Sequence, residues 1–145
     1  MDIPRPVPGL VNRYSYLWRA DYLRGRDEGV KDRPCAVVLV SKNAEGGEIV
    51  TILPVTHAEP KRPELALEIP AKTKKRLGLD SDRSWVVLTE VNQFRWPGPD
   101  LRLAHAGNAA SAGYGQLSRK FFQQLRDRFV AVLRAGEARI VDRNG

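Results

Sequence analysis

The stretch KDRPCAVVLVSKNAEGGEIVTILPVTH, residues 31–57, decides the fold of this chain. It contains two apolar runs, residues 35–40 and 49–53, joined by a polar segment with two glycines. Two β-forming runs with a short glycine-containing connection predict an antiparallel hairpin. Because the start of one hairpin strand lies beside the end of the next, Arg33 and Thr56 should meet at one rim of the sheet.

The rest of the chain predicts short strands, two helices and three loops around this hairpin. Strands are predicted over residues 10–18, 65–69 and 84–94. Helices are predicted over residues 71–77, ended by Gly78, and from Ser118 to Gly136. The loops are a proline-rich extended lead-in at 1–9, a charged segment at 19–32, and an Ala, Gly and Ser-rich segment at 104–116. We therefore expect one domain, residues 1–145, of the α+β class and mainly β.

Composition narrows the choice of partner. The chain has 145 residues, a net charge of +7 and a pI near 9.9, which favours polyanionic partners, with nucleic acid the leading candidate. A purely solubilising role of the charge is the alternative. It has one cysteine, so an internal disulfide is excluded. We find no apolar run long enough for a membrane span and no signal-peptide pattern at the start, so a cytoplasmic protein without a membrane partner is expected.

Few residues in the sequence can carry chemistry. His57, His105 and the single cysteine are not at metal-ligand spacing, so neither a metal nor a cofactor is expected. What remains is Arg33 with Thr56, and His57 directly after them as a candidate acid or base. Candidate RNA-contacting residues are Lys31, Glu90, Asn92, Gln93 and Arg95.

The order of the short motifs points to a known family. The pattern GxKxRPxxVxL at residues 29–39, followed by LPVT at residues 53–56, resembles the PemK/MazF family of toxin ribonucleases. Those proteins carry an Arg-Pro step at the start of one strand and a Pro-x-Thr step at the end of the next. The segment at residues 85–92 resembles their later strand, and the resemblance spans residues 8–135. The proline-rich start, His57 and the WPGPD turn at residues 96–100 depart from the compact family members.

The resemblance implies a fold, an activity and partners. The implied fold is a small SH3-like antiparallel β-barrel with short helices and an amphipathic C-terminal helix. The implied protein is a growth-inhibiting toxin of a toxin–antitoxin system, a homodimer that cleaves single-stranded RNA without a metal. Its partner would be a cognate antitoxin whose acidic, flexible tail covers the RNA groove, and DNA would be bound only through the antitoxin complex. The resemblance assigns catalysis to Arg33 and Thr56.

The predicted site suits a reaction in which RNA supplies its own nucleophile, the 2′-hydroxyl. Arg33 can donate a bidentate fork to phosphoryl oxygens, and Thr56 can donate one further hydrogen bond. The resemblance also implies an acid or base role for Arg33, although a guanidinium is hard to deprotonate. An imidazole exchanges protons near neutral pH, so His57 is the alternative base. Neighbours on a regular strand point to opposite faces, so His57 can assist only if the strand ends at Thr56.

Two alternatives to a ribonuclease stay open at this point. One is an SH3-like RNA-binding module without cleavage activity, and the other is a protein-interaction module whose basic charge serves an acidic partner. A homodimer contact is expected at the aromatic residues from Tyr14 to Trp18, because both faces of that strand carry apolar side chains. The alternative is that a loop or the C-terminal helix covers the second face of this strand, in which case no dimer contact is needed there.

Overall fold

The computed structural model describes residues 3–102, 104 and 112–144, which form an α+β fold that is mainly β. The strands are β1 Leu10–Ser15, β2 Asp32–Lys42, β3 Glu48–Thr56, β4 Ala66–Glu68, β5 Trp85–Val87, β6 Glu90–Arg95, β7 Leu101–Arg102, β8 Gly113–Gln116 and β9 Arg139–Asp142. The helices are α1 Arg19–Leu23, α2 Ala71–Leu77 and α3 Arg119–Arg134, with a 3-10 turn at Pro63–Leu65. Within the described ranges, every helix is too short or too polar to cross a bilayer.

The predicted hairpin is confirmed and forms the centre of the sheet. β2 and β3 pair antiparallel, with Cys35 opposite Pro54 and Lys42 opposite Glu48. β1 extends the sheet beyond β2, while β3 pairs with both β5 and β6. The hydrogen-bonded order is β4-β5-β3-β2-β1-β7, and among the described strands this pairing does not close into a ring.

Each face of the hairpin buries a different apolar cluster. Along β2, Ala36 and Val38 belong to the first cluster. Cys35 and Val37 belong to the second, because successive strand side chains point to opposite faces. α3 covers the first cluster with Phe121, Leu125, Phe129 and Val132. Aromatic side chains dominate the second cluster, with Tyr14, Tyr16 and Phe94 at its centre.

Both predicted helices are confirmed, together with the residues that end or begin them. α2 ends at Leu77, and Gly78 follows with a φ of 71°, a left-handed conformation that glycine adopts without a Cβ penalty. α3 begins after Ser118, whose Oγ accepts a hydrogen bond from the backbone N–H of Phe121 at 3.2 Å. That contact satisfies one of the N–H groups left unpaired at a helix start.

Four predicted segments differ from the structure. The predicted strand 84–94 is two strands, because β5 pairs with β3 and β4 while β6 pairs with β3 and β9. The charged segment 19–32 contains α1, and the predicted strand 10–18 ends at Ser15. Part of the predicted 104–116 loop is β8, which pairs with β1. Residues 105–111, including His105, lie outside the described residues.

Two of the aromatic side chains expected at a dimer contact, Tyr14 and Tyr16, are buried inside one chain instead, whereas Trp18 is half-buried. Tyr14 and Tyr16 are fully buried, and Tyr14 stacks on Phe94 with ring centroids 4.6 Å apart. The second face of β1 is therefore covered by β6 and its neighbours, through contacts between residues far apart in sequence. These tyrosines cannot supply a subunit contact while the second cluster is intact.

Candidate functional site

The open end of the hairpin borders a cavity of about 440 Å³, the rim cavity. Its lining includes four basic side chains, Arg13, Lys31, Arg33 and Lys74, and two acidic ones, Asp32 and Asp80. This excess of positive charge favours an anionic ligand. Thr56 and His57 line the same cavity, so four residues predicted for the site from the sequence come together here.

Arg33 is held at the rim by its neighbours but keeps hydrogen-bonding capacity. Its Nη1 donates to the backbone oxygen of Val55 at 3.1 Å, and its guanidinium carbon lies 4.8 Å from the ring centroid of Trp18. Its Nε is buried and has no hydrogen-bond partner within the described part of the chain. Burial lowers the pKa of Arg33, yet a guanidinium keeps its charge in proteins. Because Arg33 also lines the cavity, its guanidinium is a charged donor of the kind that binds phosphoryl oxygens.

Thr56 is the last residue of β3 and closes the turn that follows. Its Oγ1 accepts a hydrogen bond from the backbone N–H of Ala58 at 3.1 Å. That contact fixes the side chain through a local turn of the kind that Ser and Thr favour. Since the oxygen already accepts one bond, the hydroxyl proton remains available to donate to an anion in the cavity.

His57 is oriented by a carboxylate that is itself held by a buried ammonium group. The Nε2 of His57 lies 2.8 Å from Oδ2 of Asp80, whose Oδ1 accepts from Nζ of Lys74 at 2.5 Å. Lys74 is only 5% exposed, and its Nζ also donates to Oγ of Ser84 at 2.6 Å and to the backbone oxygen of Asp82. Burial alone would raise the pKa of Asp80, but the hydrogen bonds from Lys74 and His57 outweigh it and lower that pKa.

This arrangement fixes which nitrogen of His57 carries the proton. Ionised Asp80 can only accept hydrogen bonds, so a neutral His57 places its hydrogen on Nε2. Nδ1 is then the nitrogen with a free lone pair. β3 ends at Thr56, so His57 is not forced to point away from Thr56, as a regular strand would require. His57 lines the rim cavity, and its Nδ1 can therefore act as a base there.

Sequence reasoning missed Lys74 and Asp80. Lys74 lies in α2 among three other basic residues, where a cation is normally expected to face solvent, although its position three residues before Leu77 places both on one helical face. That spacing from a buried leucine is the one local signal that could have identified it. Asp80 carries no local signal, because its role depends on His57, which is 23 residues away.

The structure also gathers three residues of a kind that can bind metals. Donor atoms of His57, Asp80 and Asp82 lie within 4.8 Å of one another, a grouping that the sequence spacing did not suggest. Both carboxylate oxygens of Asp80 already accept hydrogen bonds from His57 and Lys74. The ammonium group of Lys74 thus already provides the positive charge that Asp80 faces. Exposed acidic groups alone do not define a metal site.

The other predicted RNA-contacting residues lie away from the rim cavity, on β6. Asn92 is fully buried, and its amide pairs with the backbone N–H and carbonyl of Leu17 at 2.9 and 2.8 Å. Glu90 accepts from the Tyr16 hydroxyl at 3.1 Å, and burial raises the pKa of this carboxyl. Gln93 donates to Oγ1 of Thr51, and Arg95 is exposed on the surface. The hydrogen bonds of Asn92 and Glu90 thus connect β6 to the segment after β1.

Comparison with known proteins adds no assignment to this geometry. No protein-family model matches the chain, and no curated protein matches it either. The class that the fold and the site define is an α+β protein with a basic cavity at the open end of a central hairpin. Its function has to be argued from the side chains of that cavity.

Proposed function

We propose that this protein is an endoribonuclease that cleaves single-stranded RNA by attack of the substrate's own 2′-hydroxyl. One observation carries the proposal: Arg33, Thr56 and His57 line a single cavity with an excess of basic side chains. A cleavage site of this kind needs charge stabilisation for the phosphate and a proton acceptor for the nucleophile. The cavity offers both.

The reaction uses the cavity residues in separate roles. Nδ1 of His57 takes the proton from the 2′-hydroxyl, and the 2′-oxygen attacks phosphorus. The bond from phosphorus to the 5′-oxygen breaks, leaving a 2′,3′-cyclic phosphate. The 5′-oxygen takes a proton from water to become a 5′-hydroxyl, and the proton held at Nδ1 of His57 returns to water. Arg33 and Thr56 donate hydrogen bonds to the phosphoryl oxygens as negative charge builds up on them, which is usually the largest catalytic contribution.

The proposal extends to the properties that the motif resemblance implies. The strands around the hairpin form an SH3-like antiparallel barrel, and the protein acts as a growth-inhibiting toxin of a toxin–antitoxin system. The basic cavity suits an antitoxin with an acidic, flexible tail, and DNA is bound only through that complex. The active form is a cytoplasmic homodimer whose contact lies outside the buried tyrosines of β1.

A second candidate is an RNA-binding module without cleavage activity. The observation that favours it is that Arg33 already has structural partners, the carbonyl of Val55 and the ring of Trp18. A cation that holds the hairpin end together could bind phosphate without catalysing a reaction. Binding of RNA with no cleavage would identify this second function.

Cleavage without a metal is the direct test of the proposed reaction. We expect purified protein to cut mixed-sequence single-stranded RNA in EDTA, leaving ends with a 2′,3′-cyclic phosphate or its hydrolysis product. The same sequences made as DNA should bind but stay intact, because they lack the nucleophile while retaining the phosphates. Mass spectrometry of the product ends checks both statements. Cutting of the DNA, or loss of RNA cleavage in EDTA, would overturn the mechanism.

His57 and Asp80 should affect the chemical step more than substrate binding. His57→Ala removes the base and should lower kcat by about 10²- to 10⁴-fold. Asp80→Asn should lower kcat by a smaller factor with little change in KM, because it loosens the orientation of the imidazole. Nitrogen NMR shifts of His57 should show hydrogen on Nε2 in the wild type and a mixture of tautomers in Asp80→Asn. Glu45→Ala is the matched control, because Glu45 is an exposed acidic residue at the opposite end of the hairpin and does not line the rim cavity. Full kcat in His57→Ala would place the base elsewhere.

A further inference from the structure

A second cavity, of about 360 Å³, lies directly beside the rim cavity. Thr56 and Ala58 line both cavities, so the two lie side by side around the end of β3. Trp18 lines the second cavity, while Arg33, which lies over the ring of Trp18, lines the first. We name the second one the tryptophan cavity.

The two cavities differ in chemistry. The tryptophan cavity is lined mainly by apolar groups, among them Trp18, Pro60, Leu65 and Val87. Three charged residues line it. Arg62 already pairs with Glu64 at 2.8 Å and with Glu137 at 3.0 Å, Glu59 pairs with Arg83 at 3.7 Å, and Lys61 is exposed at the edge. An apolar cavity whose rim charges are largely paired suits an uncharged, flat group rather than a phosphate.

We propose that the tryptophan cavity binds the nucleobase next to the phosphate held in the rim cavity. This inference rests on the proposed function. A base in single-stranded RNA that leaves its stack is commonly received by an aromatic side chain, and Trp18 is half-exposed at the required place. Base stacking on aromatic side chains tolerates different sequences, because every base has a flat π-face. The occupant is thus a nucleobase of either class, held by stacking and apolar contact.

The position of Arg33 links the base to the reaction. Its guanidinium lies 4.8 Å from the centroid of the Trp18 ring and contacts the carbonyl of Val55 on β3. Trp18 therefore contacts Arg33, which holds the phosphate, and also lines the cavity that receives the base. Filling the tryptophan cavity should place the adjoining phosphodiester beside Arg33 and Thr56.

The test compares oligomers that differ only in their bases. One is a short single-stranded DNA oligomer, which lacks the nucleophile, and the other is the same oligomer without any base but with every phosphate. By fluorescence anisotropy, the wild-type protein should bind the oligomer with bases about tenfold more tightly, from the size of one aromatic–base contact. Equal affinities would overturn the base site, whether or not the protein cleaves RNA.

Variants then locate the base. Trp18→Ala should lose most of the discrimination between the two oligomers, and Trp18→Phe should retain most of it. Tyr22→Ala is the matched control, since Tyr22 is an exposed aromatic residue of α1 that lines neither cavity. Discrimination that persists in Trp18→Ala would overturn the assignment to this cavity. Discrimination through Trp18 in a protein that never cleaves RNA would support the base site and overturn the proposed reaction alone.

Discussion

Replacing Arg33 with alanine should lower RNA cleavage by about 10²- to 10³-fold in kcat, the usual effect of removing one donor to developing negative charge. Arg33 is half-buried at an open cavity, so the change leaves no closed void of the kind that destabilises a core. Arg33→Lys should rescue only part of the activity, because an ammonium group cannot reproduce the planar fork. Single-turnover cleavage together with urea unfolding measures both effects.

Thr56 allows a sharper comparison than Arg33. Thr56→Val keeps the shape of the side chain but removes the hydroxyl, whereas Thr56→Ser keeps the hydroxyl. We expect the valine variant to lose most cleavage and the serine variant to retain most of it. Arg95→Ala removes an exposed cation outside both cavities and should alter RNA affinity slightly without reducing kcat. If Arg33→Ala and Thr56→Val both cleave like the wild type, the reaction does not take place in the rim cavity.

Arg143→Ala should be the most destabilising single substitution that we can identify, by about 3–5 kcal/mol. The Arg143 side chain is 5% exposed and donates to Asp100 at 3.1 Å, to the backbone oxygen of Ser15 at 2.9 Å and to Asn92 at 3.1 Å. It also lies over the ring of Tyr14. Truncation removes the ion-pair partner of Asp100 and takes one hydrogen bond from each of two buried acceptors, although the Asn92 oxygen keeps its bond from Leu17. That loss exceeds the value of the ion pair itself.

The free energy of unfolding in urea gives the measurement, with an unchanged m value showing that both states keep their compactness. Arg24→Ala is the matched control, because Arg24 is 76% exposed on the surface and its contact with Asp21 is long, at 3.7 Å. Exposed pairs of this kind contribute at most about 1 kcal/mol. A loss in Arg143→Ala no larger than that of Arg24→Ala would mean that Arg143 does not hold β9 to the second cluster.

The parts of the fold that the sequence predicted are those with local signals. The β2–β3 hairpin follows from two apolar runs and a glycine-containing turn, α2 from Gly78, and α3 from Ser118 and its amphipathic spacing. The division of residues 84–94 could not be predicted, since β propensity does not say which neighbour a strand will choose. α1 lies in a charged segment and buries none of its side chains, so it has no apolar pattern to recognise.

The residues of the candidate site also fall into those with a local signal in the sequence and those without one. Arg33 and Thr56 could be brought together from the antiparallel geometry of a hairpin, because their separation along the chain is set by one turn. Lys74 and Asp80 could not, because their contact with His57 depends on how α2 and the turn after it pack against the end of β3. The burial of Asn92 was missed for a similar reason, since its partners at residues 17 and 143 come from distant parts of the chain.

The large sequence separation of the Arg143 contacts also has a consequence for the kinetics of folding and unfolding. The contacts of Arg143 with Ser15 and Tyr14 join residues 128 and 129 positions apart, whereas the bond from Arg33 to Val55 spans 22. Closing a long loop lowers the entropy of the chain before the new contact can compensate for it. Such contacts therefore tend to form late and to slow folding. We therefore expect the rim of the hairpin to assemble early and the contacts of Arg143 to form after the transition state. Its interactions chiefly slow the opening of the folded chain, and its loss would shorten the lifetime of the native state more than it delays folding.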